Sequence, residues 1–223
     1  MIIFIMKIGI AAATAFEIQP TIDFLLRSHT QQSKHEFELL ITGIGSIASA
    51  YQLANFIIKK SPDYMLQAGI GGSFNTTLQL GDTVIIRDDI TGDMGVEENN
   101  LFRDLFDMGF MEPDAKPYNG GRLINPYIKD WERYGLPIVH GITVNEITTS
   151  QQRINLLREK YNCDIESMEG AAFHHVCLQE HIPFLQLRSI SNYIGERDKG
   201  NWKLKESITN LNQALIKIIQ QIP

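Results

Sequence analysis

Two glutamates and one asparagine stand where an α/β fold gathers its chemistry. Glu17 closes the small-residue segment Ala11-Ala12-Ala13-Thr14-Ala15-Phe16-Glu17, which leaves the first apolar run. Glu169 lies in Glu166-Ser167-Met168-Glu169-Gly170-Ala171-Ala172, which enters a helical pattern, and Asn192 ends Leu187-Arg188-Ser189-Ile190-Ser191-Asn192, which leaves a late apolar run. Open α/β sheets bind ligands at the carboxyl ends of their strands, so the three segments are expected to converge. A carboxylate placed there can take a proton from water, and Glu17 stands either as such a base or as a solvated helix start. Glu169, in the first turn of its helix, would by itself be no more than a charge favoured at a helix N-terminus. Asn192 carries a donor NH2 and an acceptor oxygen on one planar group, which suits it to reading the edge of a heterocycle.

Other signatures fall away. Gly43-Ile44-Gly45-Ser46-Ile47-Ala48 matches G-x-G-x-x-A between a strand and a helix, but it follows the second strand, and the acid Asp63 precedes the third strand instead of ending it. A dinucleotide site needs the reverse. A tight turn that lets another group approach the backbone accounts for those glycines. His174, His175 and Cys177 share one helix with no second ligand cluster, so no metal is expected. There is no phosphate-binding P-loop and no G-x-S-x-G elbow.

The elements that must position these residues alternate. Strands are expected over Ile2–Ala11, Phe37–Ile41, Tyr64–Ala68, Gly81–Ile90, Ile138–Thr143 and Phe184–Ile190. Helices are expected over Glu17–Ser28, with Ile18, Ile22, Leu25 and Leu26 in helical spacing, and over Ser46–Lys60, with Ile47, Ala50, Tyr51, Ala54 and Ile58 on one face. Further helices are expected over Gln151–Tyr161, over 168–180 with Ser167 as N-cap, and over Lys203–Gln220. Residues 91–135 read as irregular. The pattern predicts a three-layer α/β/α sandwich around a mixed, mostly parallel twisted sheet. The 223 residues suit one domain over 1–223, with 43% hydrophobic and 21% charged residues as in globular proteins. A net charge of −6 argues against nucleic acid as a partner. Two cysteines suit a reducing cytoplasm. The apolar opening MIIFIMKIGIAAATA is interrupted by Lys7 and too short to span a bilayer, so it reads as a buried strand with no membrane role. Met6-Lys7-Ile8-Gly9 reads as an alternative start that would leave the first five residues as an extension.

Together these segments resemble the purine nucleoside phosphorylase/nucleosidase superfamily over nearly the whole chain. The likeness is carried by Lys7-Ile8-Gly9-Ile10, Gly43-Ile44-Gly45, Ala68-Gly69-Ile70-Gly71-Gly72, Gly81-Asp82, Ser167-Met168-Glu169-Gly170-Ala171 and Arg188-Ser189-Ile190-Ser191-Asn192. The S-M-E-G-A block is its specific element. Ala13-Thr14-Ala15 through Glu17, Asp93-Met94-Gly95-Val96-Glu97-Glu98 and Ser191–Asp198 with Trp202 resemble the futalosine hydrolase subfamily in particular.

The resemblance implies cleavage of a ribosyl C–N bond through a transition state with oxocarbenium character. It gives Glu169 the clasp on the ribose hydroxyls, with Met168 packed on the sugar, and Glu17 the activation of water. It places Ser167, Ala68, Gly69, Ile70, Thr148 and Arg197 among the substrate contacts, with no cofactor. Methylthioadenosine nucleosidases of the superfamily hold Asp where this chain has Asn192. The carboxamide instead matches a 6-oxopurine: its NH2 donates to O6 and its oxygen accepts from protonated N7. Asn192 cannot protonate the leaving base, so that proton comes from elsewhere. Phosphorylases carry Arg in the segment matching Gln67-Ala68-Gly69, and Gln67 therefore points to water as nucleophile. Relatives are commonly homodimers, and a homodimer or higher homo-oligomer is expected here. The alternatives are a methylthioadenosine nucleosidase, a phosphorylase, or a non-catalytic nucleoside-binding protein on the same fold.

Overall fold

The computed structural model describes residues 5–28, 34–99 and 101–222. Its first strand, β1 (Lys7–Ala12), lies between β2 (Glu36–Ile41) and β3 (Tyr64–Ser73), parallel to both. Residues 1–4, the start of the expected first strand, fall outside the described residues. The sheet continues through β10 (Phe184–Tyr193), β4 (Thr83–Asp89), β8 (Ile138–Thr143) and β9 (Ile165–Ser167), and β10 also pairs with β3, so five strands close into a ring. Pairings of β10 with β4 and of β3 with β9 are antiparallel, while β3–β10, β4–β8 and β8–β9 are parallel. The sheet is mixed and mostly parallel, as the alternation of elements requires.

Closure depends on β3 running five residues past the expected end at Ala68. Gly69, Gly71 and Gly72 keep its far half extended where side chains would collide. A Cβ at Gly71 would stand 2.8 Å from the Glu166 carbonyl oxygen. β9 itself escaped the sequence reading, since three residues flush against a helix leave no period to detect.

Two helical layers cover the sheet. On one side α1 (Ala15–Ser28) and α5 (Leu204–Gln221) bury Ile18, Leu25, Leu211, Leu215 and Ile218 against Ile8, Ile10, Leu66 and Leu187. On the other, α2 (Ser46–Lys60) and α4 (Gly170–Gln179) pack Leu53, Phe56, Ile57, Phe173 and Cys177 over Ala11 and Met65. Each fully buried aliphatic side chain contributes about 1.5–3 kcal/mol. The stripe expected on α2 faces this core only through Ala50 and Ala54: Ile47, Tyr51 and Ile58 are 87%, 68% and 71% exposed, while Ser49, Leu53, Phe56 and Ile57 point inward. The last member of the expected α1 set, Leu26, is likewise exposed at 64%.

The stretch 91–135 is partly structured. It contains the hairpin β5 (Gly95–Glu98) with β6 (Leu101–Asp104), the short β7 (Leu123–Ile124) and a 3-10 helix over Ile128–Tyr134. Helix α3 (Gln151–Tyr161) begins at Ser150, whose hydroxyl accepts from the Arg153 N–H at 3.2 Å. Among the described residues no helix is long and apolar enough to cross a membrane.

Candidate active site

Glu17 sits two residues inside α1, and the helix is broken just beyond it. Ile18 has φ −120° and ψ 15°, and Pro20, which has no N–H to donate, follows. Asn212 of α5 repairs the break. Its Nδ2 donates to the Glu17 carbonyl at 2.8 Å, and its Oδ1 accepts from the Thr21 N–H and hydroxyl at 3.0 and 2.6 Å. The carboxylate of Glu17, a residue 7% exposed, then takes the Thr14 N–H and hydroxyl on Oε2 at 3.1 and 2.9 Å, and the Ile70 N–H on Oε1 at 3.1 Å.

Glu169 comes from the opposite side. Helix α4 starts at Gly170, two residues later than expected. Ser167 is the last residue of β9 rather than the N-cap, although its hydroxyl still accepts from the Gly170 N–H at 3.2 Å. Glu169 holds the N-cap position without capping through its side chain. Its Oε1 accepts from the Gly45 N–H at 3.0 Å, and its Oε2 lies 3.5 Å from Arg188 Nη1. Gly43 and Gly45 have φ of 79° and 91°, so the glycine turn does present its backbone to an approaching group: a carboxylate of this same chain.

Between the glutamates lies Arg188, 2% exposed, which donates to Gln67 Oε1 at 3.1 Å and to the Ile70 carbonyl at 3.4 Å. Gly69 makes the meeting possible. A Cβ there would stand 2.4 Å from Arg188 Nη1 and 3.1 Å from Glu17 Oε1. In the sequence Arg188 stands only as one member of the Arg188-Ser189-Ile190-Ser191-Asn192 block. A lone cation inside the apolar run Phe184–Ile190 was the available signal, since a buried guanidinium needs partners.

Farther along β10, the register with β3 shifts between Ile190 and Asn192, and this irregularity re-aims the strand end. Asn192 is half-buried beside Gly72. Its Oδ1 accepts from the Ser191 hydroxyl at 2.9 Å, and its Nδ2 donates to the Tyr193 carbonyl at 3.0 Å. The Ser191 contact orients the amide, and one N–H of Nδ2 is left for a further acceptor.

The remaining expected residues divide. Ala68 is buried within β3, and Ile70 next to Gly69 supplies the N–H to Glu17. Met168 is partly buried, and its carbonyl accepts from the Ser46 hydroxyl at 3.4 Å. Thr148 is buried, with its N–H donating to Glu166 Oε1 at 3.2 Å. Arg197 is exposed, its guanidinium 5.8 Å from the Trp202 ring centroid, in a loop whose Trp202 Nε1 donates to the Glu196 carbonyl. Glu17, Gly69, Ile70 and Glu169 thus meet around Arg188, Asn192 lies beside Gly72, and Arg197 stacks on Trp202.

Beneath the site runs a buried polar layer that sequence reasoning did not foresee. The Ala171 N–H donates to the Thr143 hydroxyl at 2.7 Å, and that hydroxyl donates to Asp89 Oδ1 at 2.8 Å, which ties the start of α4 to β8 and β4. Burial raises the Asp89 carboxyl to a pKa of about 6 against the bond from Thr143, and lowers His174 to about 4. A Cβ at Gly170 would stand 2.1 Å from Asp89 Oδ2 and 2.4 Å from Gln186 Nε2, which accounts for the glycine of the S-M-E-G-A block.

The profile of the phosphorylase superfamily matches residues 8–222. The chain belongs to that superfamily. It is 27% identical to a futalosine hydrolase of Thermus thermophilus over 192 residues, covering 83% of this chain and 82% of that one. It is 24% identical to a 5'-methylthioadenosine/S-adenosylhomocysteine nucleosidase of Bacillus subtilis over 210 residues, 87% of each. The solved structure of Helicobacter pylori futalosine hydrolase superposes with a TM-score of 0.81 over 98% of this chain and 99% of that one at 18% identity, which establishes the superfamily fold.

Proposed function

We propose that this protein hydrolyses the N-glycosidic bond of a 6-oxopurine nucleoside, with futalosine as the substrate. The observation that carries the reading is the pair of carboxylates, Glu17 and Glu169, converging from two layers on Gly69 and the buried Arg188. Glu169 clasps the ribose hydroxyls and stabilises the positive charge that develops on the sugar. Met168 packs against the ribose. Glu17 takes a proton from the attacking water, a role typically contributing about 10²–10⁴-fold. Arg188 is buried and tied to Gln67 and Glu169, away from open space where a phosphate dianion could dock, which favours water as nucleophile. Asn192 donates to O6 and accepts from N7–H. The futalosine hydrolases among the relatives support the choice of substrate; the nucleosidases of Bacillus favour methylthioadenosine as a second reading.

The protein works in the cytoplasm as a homodimer in this account. The exposed stripe Ile44, Ile47, Tyr51 and Ile58 borders the Gly45 turn that holds Glu169, and a second copy covering it would shield the ribose site from solvent. The assay is incubation with futalosine, inosine and methylthioadenosine, followed by separation of the bases. Hypoxanthine released fastest from futalosine is the expected result; faster release of adenine from methylthioadenosine overturns the substrate assignment.

A further inference from the structure

Glu166 stands in a row that the catalytic account leaves unused. Asn192 is in register with Gly72 on β3, and Gly72 is in register with Glu166 on β9. Residues paired side by side present their side chains to one face, so the amide and the carboxyl face the same way across a glycine. Consistently, the Cβ that Gly72 lacks would lie 3.3 Å from Asn192 Nδ2. The tip of Ile194 occupies that position, with Cδ1 2.4 Å from it, so the floor between the two polar groups is apolar. Two strand spacings separate the backbones by about 10 Å, the scale of a purine edge with a hydrogen bond at each end. Thr148, whose N–H holds Glu166, lines a cleft of about 430 Å³ together with Asp93, Ile147 and Arg153.

One carboxylate oxygen of Glu166 is used and the other is not. Oε1 accepts from the Thr148 N–H at 3.2 Å, whereas Oε2 is buried and has no hydrogen-bond partner in a residue 5% exposed. A strut for the Thr148 backbone needs only the first oxygen. A buried acceptor without a donor is costly, and a ligand N–H at that place removes the cost.

We propose that Glu166 is a specificity residue that accepts the N1–H of a 6-oxopurine lying between it and Asn192. The inference rests on the nucleoside-hydrolase reading for its ligand. A 6-oxopurine bears a hydrogen on N1; a 6-aminopurine presents a lone pair there and meets the carboxylate as acceptor against acceptor. Asn192 reads N7 and O6, and Glu166 reads the next position along the same edge. The groups facing Glu166 are Asp93 from the loop after β4, Arg153 from α3, and both the N–H and the hydroxyl of Thr148. Burial raises the Glu166 pKa above the ordinary carboxylate range, Asp93 adds to the rise, and Thr148 and Arg153 oppose it. A protonated Glu166 can donate to adenine N1, so discrimination should widen as rising pH ionises it.

The test is calorimetric binding of hypoxanthine and adenine to wild type and Glu166→Gln, at several pH values from 5 to 8. Wild type should favour hypoxanthine, with a ratio that grows with pH. Glu166→Gln should weaken hypoxanthine roughly 10- to 100-fold, leave adenine unchanged or tighter, and abolish the pH trend. A strut alone would move the melting temperature and both bases together. An unchanged base ratio in the variant overturns the inference, and so does a pH-independent ratio in wild type, which needs no variant to fold. If futalosine is hydrolysed but the ratio ignores Glu166, this inference fails and the proposed activity stands. If nothing is hydrolysed but hypoxanthine binding depends on Glu166, the activity fails and the inference stands. If wild type binds neither base, the inference falls.

Discussion

Replacing Gly69 by alanine adds one methyl group between the two halves of the site. The new Cβ would lie 2.4 Å from Arg188 Nη1, while an unstrained contact between such atoms is about 3.5 Å. Something must yield by about 1 Å. Arg188 is 2% exposed and held by Gln67 at 3.1 Å, so it has no solvent to swing into. The same methyl would press on Glu17 Oε1 at 3.1 Å, so the charge that faces the ribose clasp and the proposed base both lose their places. A misplacement of about 1 Å costs about 100-fold in turnover. In a strand, alanine otherwise gains about 0.5–1 kcal/mol over glycine, so the loss should appear in kcat more than in Tm. The assay is steady-state release of free base by Gly69→Ala beside its thermal melt. A folded variant with kcat within about threefold of wild type would refute the claim that Glu17, Gly69 and Arg188 form one rigid unit.

Two further predictions follow from the same geometry. Asp89, with a native pKa near 6 against 3.8 unperturbed, binds its proton more tightly when folded, so its contribution to stability is present at low pH and lost as pH rises through 6. His174, with about 4 against 6.5, is the reverse: its contribution is present above 6.5 and lost as pH falls through 4. Each amounts to about 3 kcal/mol, and the two oppose each other between about pH 4 and 6. Urea unfolding at several pH values should show Asp89→Asn gaining stability with pH relative to wild type and His174→Gln losing it; equal slopes in all three proteins would contradict the assignment. On the exposed stripe of α2, Ile47→Glu should convert a species of twice the 25.3 kDa chain mass into monomer in sedimentation and lower turnover. A monomeric wild type would refute the homodimer.

Much of the scaffold was legible because periodicity reports burial. Ser46–Lys60, Gln151–Tyr161 and Ile138–Thr143 begin and end where the pattern puts them. The same signal could not say which apolar face of α2 is core, because Ile47, Tyr51 and Ile58 repeat at helical spacing while pointing to solvent. The glycines of β3 read as a strand's end because glycine usually punctuates. Here Gly69, Gly71 and Gly72 remain in the strand, since Arg188, Glu166 and Ile194 fill the space their side chains would need. Residue types marked Glu17, Glu169 and Asn192 as chemically able. The partners that give them positions, Asn212 for Glu17 and Arg188 for Glu169, come from distant segments that no local pattern connects.

The central claim is that water, activated beside Glu17, attacks the ribose. The most direct measurement is turnover of futalosine in ¹⁸O-labelled water with saturating phosphate present, with mass analysis of the sugar product. The account predicts one ¹⁸O at the anomeric carbon, a rate independent of phosphate, and loss of turnover in Glu17→Gln. A ribose 1-phosphate product without the label would contradict it.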